Sequence, residues 1–169
     1  MAVVVSYASP LICLSAIQQF NLLRLLYGEV LIPTAVWQEI TRVPAFSSAA
    51  SPQAAEDARA KGWFKVTDAG NRPLITQLET LLDPGEAEAI ALAVEHAPSL
   101  LLIDERDGRQ VARTLSVPIT GTLGVLLRVK ALGFVPAIKP LLTELVEQHH
   151  FRLHPDLLRQ VLTETGEAP

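Results

Sequence analysis

The chain has 169 residues, of which 49% are hydrophobic and 19% charged, a composition that excludes a disordered segment and predicts one compact soluble domain. The formal net charge of -4 excludes an overall positive field, so any contact with nucleic acid must be local. A single cysteine, Cys13, excludes an internal disulfide and a cysteine-rich zinc site. No apolar run approaches the ~18 residues of a membrane span, so we expect a cytoplasmic protein.

The first part of the chain alternates predicted strands and helices. Residues 3–5 are β-branched and apolar, which predicts a buried strand. Ser9 before Pro10 has the residue types of a helix start, and the apolar residues that follow continue at helical spacing. Residues 30–32 predict a second strand, and the next helix carries Glu39 on a face other than its apolar one.

A loop is predicted over residues 42–51, which are small, polar and proline-containing. Beyond it the pattern indicates a helix that stops at Gly62, an edge strand over residues 63–67, and an amphipathic helix that ends near Leu82. The alternation of strand and helix therefore continues after the loop.

The most informative stretch begins at Asp83, which has the residue type of a helix cap, with Pro84 in the first helical position and Glu86 three residues after the cap. The helix that follows is nearly all apolar, which predicts burial on most sides. Residues 99–103 then form a short apolar run typical of a strand covered on both faces. This strand ends in a group of acidic residues, which comprises Asp104, Glu105 and Asp107.

The remaining segments predict a helix after Asp107, a strand over residues 117–120, a helix from Thr122, and two further helices over residues 136–149 and 155–165, with a strand at 151–153 between them. Strands that alternate with helices and short loops indicate a three-layer α/β/α sandwich with a mostly parallel central sheet. We expect a single domain over residues 1–169, with residues 136–169 as a C-terminal helical extension.

Acidic side chains at the end of a buried strand favour a divalent metal site, because open parallel sheets place their chemistry at the carboxyl edge of the strands. Each acid also has a structural alternative. Glu86 lies where a capping box needs a glutamate, Glu105 and Asp107 could cap the following helix, and Glu39 could be a solvated residue of an amphipathic helix.

Five segments, in order, resemble the PIN-domain proteins, specifically the short prokaryotic PIN-like proteins related to VapC-type toxins. They are VVVSxxSPLI, EVLIPxxVxxEI, GEAEAIALA, LLIDERDGRQVA and TGTLGVLL. The resemblance implies the PIN fold and a Mg2+- or Mn2+-dependent endoribonuclease that is the toxin component of a toxin–antitoxin pair. It also implies RNA as substrate, an antitoxin protein as partner, and a homodimer.

Carried over residue by residue, the resemblance assigns the catalytic and metal-binding acids to Glu39, Glu86 and Asp104, with Glu105 and Asp107 as further metal ligands. The family's first aspartate falls on Tyr7, a departure from the pattern. A phenol with a pKa near 10 stays protonated at neutral pH and is a poor ligand for Mg2+. The alternative is therefore a catalytically degenerate PIN-like module that binds nucleic acid or protein.

Contacts to the RNA are expected from Ser9, Thr122, Arg106 and Arg109. Ser9 and Thr122 also have the residue types of helix caps, and the arginines could belong to a solvated helix face. A small-molecule hydrolase on a similar sheet is a weaker alternative, because the sequence has neither a nucleophile elbow nor a phosphate-binding loop.

Overall fold

The computed structural model describes residues 2–42 and 52–168. Five strands lie in these ranges, namely β1 (Val3–Ser6), β2 (Val30–Ile32), β3 (Phe64–Val66), β4 (Ser99–Leu102) and β5 (Ile119–Thr120). They form one sheet in the order β3-β2-β1-β4-β5, and every neighbouring pair is parallel. The carboxyl ends of all five strands therefore meet at one edge.

Helices flank this sheet, which confirms the predicted three-layer α/β/α sandwich. Their bounds in the described ranges are α1 (Ala8–Ala16), α2 (Leu22–Tyr27), α3 (Thr34–Arg42), α4 (Gln53–Ala60), α5 (Arg72–Leu78), α6 (Pro84–Glu95), α7 (Arg106–Thr114), α8 (Thr122–Ala131), α9 (Lys139–Gln148) and α10 (Pro155–Glu164). None of these helices combines the length and the apolar character needed to cross a membrane.

The centre of the sheet is formed by β1 and β4, which pair from Val3 opposite Ser99 to Ser6 opposite Leu102. Both strands are covered by helices, and the apolar residues Val5, Leu101 and Leu102 are fully buried. A strand buried on both faces has a continuous apolar sequence instead of an alternating one, and the sequences VVV and LLL meet this condition.

Helix α6 lies against β1, β4, α3 and α5. The residues from Ala89 to Ala93 are fully buried, as the nearly all-apolar sequence predicts. The predicted capping box is confirmed, because the side chain of Asp83 accepts from the N–H of Glu86 and the side chain of Glu86 accepts from the N–H of Asp83. This box fixes where α6 begins at the carboxyl edge of the sheet.

The prediction that Ser9 caps α1 is wrong. The helix begins at Ala8, its N-cap is Tyr7 in an extended conformation, and Pro10 lies in the third helical position. The first N–H groups of a helix have no partner within the helix, so a proline is tolerated there as well as in the first position. Ser9 therefore lies inside the first turn, where its hydroxyl faces Glu105.

Two predicted strands also differ from the structure. Residues 151–153 are not a strand, because the N–H of Phe151 bonds to the carbonyl of Leu145 and closes the end of α9. Strand β5 is only two residues long, since Pro118 has no N–H to donate to the sheet. Of the predicted loop at 42–51, Arg42 ends α3 and residues 43–51 lie outside the described residues.

The C-terminal segment is held to α9 by Glu167. Its carboxylate accepts from the N–H groups of Ile138 at 3.0 and 3.1 Å and of Lys139 at 2.9 Å, at the start of that helix. A carboxylate at a helix N-terminus satisfies unpaired N–H groups and is favoured by the helix dipole. These bonds join the two ends of the predicted C-terminal extension to each other.

Candidate functional site

Four carboxylates come together at the carboxyl edge of the sheet. Burial, together with the charges of Asp83 and Glu105, raises the pKa of Glu39 to about 7. Burial likewise raises the pKa of Glu86 to about 7, again with contributions from Asp83 and Glu105. Mutual repulsion requires that these groups lie close together in partly buried surroundings. We call Glu39, Asp83, Glu86 and Glu105 the acid cluster.

Tyr7, the residue that follows β1, occupies the middle of the acid cluster. Its hydroxyl oxygen lies 3.2 Å from Oε2 of Glu39 and 2.9 Å from Oδ2 of Asp83. Burial raises the pKa of the phenol far above its ordinary value, and the charges of Glu39 and Asp83 raise it further. The phenol therefore stays protonated and donates to the carboxylates. Because a hydroxyl has one hydrogen, the two acceptors must share it.

The capping box uses one oxygen of each of its two acids. Oδ1 of Asp83 accepts from the N–H of Glu86 at 2.9 Å, and Oε2 of Glu86 accepts from the N–H of Asp83 at 3.3 Å. The second oxygen of Asp83 receives Tyr7. The second oxygen of Glu86, Oε1, faces Gly108 on α7, where a β-carbon would lie 2.8 Å from it. The structural role and the site role of Glu86 are therefore compatible.

Asp104, which follows β4, turns toward α8. Its Oδ1 accepts from the N–H of Thr122 at 2.7 Å, and its Oδ2 accepts from the hydroxyl of Thr122 at 2.6 Å. Burial raises the pKa of Asp104, while Thr122 and the guanidinium of Arg109 oppose the increase. Arg109 in turn donates from Nη1 to the carbonyl of Ile103 at 2.9 Å. Asp104 is thus held in one orientation by two elements.

Glu105 and Ser9 have buried polar atoms without hydrogen-bond partners among the described residues at this edge. Burial raises the pKa of Glu105, Asp104 beside it adds to the increase, and the facing hydroxyl of Ser9 reduces it. The hydroxyl oxygen of Ser9 and Oε2 of Glu105 are inaccessible to solvent, yet neither makes a hydrogen bond of normal geometry with a described residue. Buried polar atoms in native proteins are normally paired, so Oε2 of Glu105 lacks, in the part of the chain that the structure describes, the partner that a buried carboxylate oxygen usually has.

Cys13, on α1, lies at the same edge. Burial and the charge of Asp104 raise its pKa to about 12, against a smaller lowering by its hydrogen bond with Thr122. A thiol with such a pKa is neither a nucleophile nor a metal ligand at neutral pH.

Three glycines allow the acids to approach the backbone. A β-carbon at Gly85 would overlap Oε1 of Glu39, and one at Gly121 would overlap Oδ1 of Asp104. At Gly108 a β-carbon would lie 2.5 Å from Cδ1 of Ile103. Side chains at these positions would displace the acids, so the glycines are needed for close packing around the site.

The structure brings together most of the residues predicted to form the site. Glu39, Glu86 and Glu105 share the acid cluster, and Asp104 lies next to Glu105. Asp107 and Arg106 are exposed on α7, and no hydrogen bond or ion pair joins either of them to a described residue of the cluster. Sequence reasoning missed Asp83 as a member of the site, because a helix cap is a sufficient explanation of an aspartate before Pro84.

Carboxylate oxygens are the ligands that Mg2+ and Mn2+ prefer, so the donor types of the acid cluster fit a divalent cation. The unpaired Oε2 of Glu105, and the glycines that let Glu39 and Asp104 lie close to the backbone, also fit a divalent cation. The present positions do not complete such a site, because no three described His, Cys, Asp or Glu side chains are arranged to hold one ion. Tyr7 explains part of this, since its hydroxyl stands between Glu39 and Asp83.

Comparison with known proteins gives a match to a protein family. A family model described as a PIN domain matches residues 3–167, almost the whole chain. No curated protein and no solved structure matches significantly. The family match supports a nuclease-type module in general terms, and PIN domains generally use divalent metals. With a match of this extent, and with the parallel sheet and the acids at its carboxyl edge, the chain belongs to the PIN-domain family.

Proposed function

We propose that the chain is a metal-dependent endoribonuclease of the PIN type and the toxin component of a toxin–antitoxin pair. The observation that carries the proposal is the acid cluster, in which Glu39 and Glu86 have pKa values near 7 because several carboxylates are partly buried together. Such an arrangement costs stability, and perturbed carboxylates in a common site are typical of functional centres. A divalent cation would remove the cost by neutralising the repulsion.

The residues that would hold Mg2+ or Mn2+ are Glu39, Glu86, Glu105 and Asp104, with Asp83 beside them. When bound, the cation would supply charge neutralisation at a phosphate and a more acidic water. Thr122 contributes by fixing the orientation of Asp104 through two bonds, and Arg109 contributes a positive charge next to it. Asp107 as a metal ligand, and Ser9, Thr122, Arg106 and Arg109 as contacts to RNA, remain predictions.

The test is cleavage of single-stranded RNA by the purified full chain with millimolar Mn2+ or Mg2+, and with EDTA. We expect cleavage that requires metal and that falls at least about tenfold in Asp104→Asn and in Glu86→Gln, because each variant loses one charge from the site. Glu79→Gln is the matched control, since Glu79 is exposed and lies outside the cluster. The proposal fails if no cleavage occurs, or if Asp104→Asn cleaves as fast as the unaltered chain.

The toxin role and the partners rest on family resemblance. We expect that expression of the chain arrests growth, that an antitoxin protein relieves the arrest, and that the chain is a homodimer by sedimentation. Growth arrest that persists in Asp104→Asn would contradict a role through RNA cleavage. A monomer at micromolar concentration would contradict the dimer.

A second function is favoured by Tyr7, whose hydroxyl donates to two acids at the position of the family's first aspartate. This function is a catalytically degenerate PIN-like module that binds nucleic acid or protein. It predicts that the unaltered chain binds Mn2+ weakly and does not cleave RNA, whereas Tyr7→Asp binds Mn2+ more tightly and gains cleavage. Cleavage by the unaltered chain that Tyr7→Asp does not increase would exclude it.

A further inference from the structure

One face of α7 carries three arginines and a glutamine. At about 100° per residue, Arg109, Arg113, Arg106 and Gln110 fall in that order within an arc of about 100°, while the buried residues Gly108 and Ala112 lie on the opposite side. Asp107 lies outside this arc. The three guanidinium groups are positively charged and carry only hydrogen-bond donors, and the amide of Gln110 adds a neutral donor. We call these four residues the α7 arginine face.

The exposed arginines of this face have no partner in the part of the chain that the structure describes. Arg106 and Arg113 are both exposed, and no ion pair within residues 2–42 and 52–168 includes either of them. Arg106 also occupies the first position of α7, where the helix dipole disfavours a positive charge. The fold therefore gains little from these two charges, and a residue that opposes a local preference is typical of a functional surface.

Arg109 joins this face to the acids. Its guanidinium bonds to the carbonyl of Ile103 and lowers the pKa of Asp104, so it lies at the carboxyl edge of the sheet. Arg106 and Arg113 are seven residues apart, which corresponds to about 10 Å along the helix. The face thus begins beside the candidate site and extends over a length that suits successive phosphates of an extended strand.

We propose that the α7 arginine face binds the phosphates of single-stranded RNA on one side of the bond to be cleaved. This inference rests on the proposed nuclease function and deepens it by naming the surface that holds the substrate. Guanidinium groups match phosphate oxygens in a bidentate geometry, and on a chain of net charge -4 such a contact must be confined to one surface.

The test compares two double variants of the full chain with the same charge change. Arg106→Gln with Arg113→Gln removes the exposed part of the face, whereas Arg24→Gln with Arg152→Gln removes two exposed arginines elsewhere. Binding of an unstructured oligonucleotide RNA is measured by anisotropy from 50 to 200 mM salt, with EDTA present to prevent cleavage. We expect the first pair to weaken binding at least tenfold and to lower the salt slope by about 1.4, and the second pair to change neither.

Equal losses of RNA affinity in the two double variants would overturn the inference. So would an unchanged salt slope in Arg106→Gln with Arg113→Gln. Polyglutamate binding that depends on the same arginines, together with RNA binding that does not, would assign the face to an acidic protein partner instead. The proposed function has a separate test. RNA that is bound through the α7 arginine face but never cleaved would refute the nuclease function alone. Cleavage that is unchanged in Arg106→Gln with Arg113→Gln would refute the role of the face alone. An unaltered chain that binds no RNA would refute both.

Discussion

The hydroxyl of Tyr7 lies 2.9 Å from Oδ2 of Asp83, so a phenol at the end of the first strand is bonded to the cap of the central helix α6. The same hydroxyl is 3.2 Å from Glu39, and it therefore links three elements at the carboxyl edge. In a site full of carboxylates, a neutral donor reduces repulsion without binding a cation. Tyr7 stabilises the acid cluster by hydrogen bonding, and in doing so it occupies space between the acids.

The first prediction concerns this hydroxyl. Tyr7→Phe keeps the buried ring but leaves Glu39 and Asp83 without their donor, and we expect it to lower the free energy of unfolding by about 1–2 kcal/mol at pH 7. Tyr7→Asp adds a charge and should destabilise the metal-free chain more, while it raises the affinity for Mn2+ at least tenfold.

Both effects are measured by urea unfolding with EDTA and with millimolar Mn2+. Tyr27→Phe is the control, since Tyr27 is a partly buried tyrosine away from the cluster. A Tyr7→Phe chain as stable as the unaltered one would show that the hydroxyl does not stabilise the acids. A Tyr7→Asp chain that is equally unstable with and without Mn2+ would show that position 7 does not contribute to metal binding.

The second prediction concerns Thr122, which is fully buried and bonds to both oxygens of Asp104. Thr122→Val keeps the shape and the N–H bond but removes the hydroxyl donor, and we expect a loss of about 1–3 kcal/mol in the free energy of unfolding. Thr122→Ser keeps the hydroxyl and should lose much less. Because the hydroxyl lowers the pKa of Asp104, Thr122→Val should also raise that pKa in an NMR titration.

An unchanged pKa of Asp104 in Thr122→Val would show that the side-chain bond is not formed in solution. Equal destabilisation by Thr122→Val and Thr122→Ser would contradict a dominant role of the hydrogen bond, because Thr122→Ser keeps the hydroxyl and loses only the methyl group.

The sequence is sufficient to predict the elements whose signals are local. The capping box of Asp83 and Glu86 and the apolar strands at the centre of the sheet depend on neighbours within a few residues, and all are present. The start of α1 was not predictable in this way, since Pro10 is accepted in more than one position of a first turn. Similarly, residues 151–153 have a strand-like composition, but the N–H of Phe151 is used to close α9.

The candidate site was predictable only where parallel topology brings strand ends together. That Glu39 and Glu86 lie near Glu105 follows from the order of strands and from the family resemblance. The second bond of Asp83 to Tyr7, and the rotation of Asp104 toward Thr122, depend on side-chain orientations that involve residues far apart in the chain. No local pattern encodes such orientations, so the residue types identify the edge but not the arrangement within it.

The third prediction concerns Gly121, where a β-carbon would overlap Oδ1 of Asp104 and lie 3.3 Å from the carbonyl oxygen of Ile103. Gly121→Ala must therefore move Asp104 or the strand end, and we expect it to lower the free energy of unfolding by about 1–3 kcal/mol. Gly70→Ala is the matched control, because its β-carbon would meet only Glu95 at 3.8 Å, an ordinary contact. Thermal unfolding of both variants tests this, and equal stability of Gly121→Ala and the unaltered chain would contradict the observed approach of Asp104.

The final prediction concerns pH. Burial and neighbouring acids raise the pKa of Glu39 and of Glu86 from 4.5 to about 7, so the folded chain binds more protons than the unfolded chain between these values. The stability that these groups contribute is therefore complete below about pH 4.5 and is lost as the pH rises through 7. Each group can contribute a slope of at most about 1.4 kcal/mol per pH unit, and less here because both are partly exposed. Hydrogen bonds from backbone N–H groups lower the pKa of Glu167. Its contribution to stability is therefore lost as the pH falls, and only below pH 4.5.

Urea unfolding between pH 5 and 8 in EDTA measures the sum of these terms. We expect the free energy of unfolding to decrease across this range, and the decrease to be smaller in Glu39→Gln, which cannot lose a proton. Glu147→Gln, an exposed change outside the cluster, should leave the slope unaltered. A slope in Glu39→Gln equal to that of the unaltered chain would mean that Glu39 is not held among repelling acids, and the electrostatic basis of the acid cluster would then be refuted.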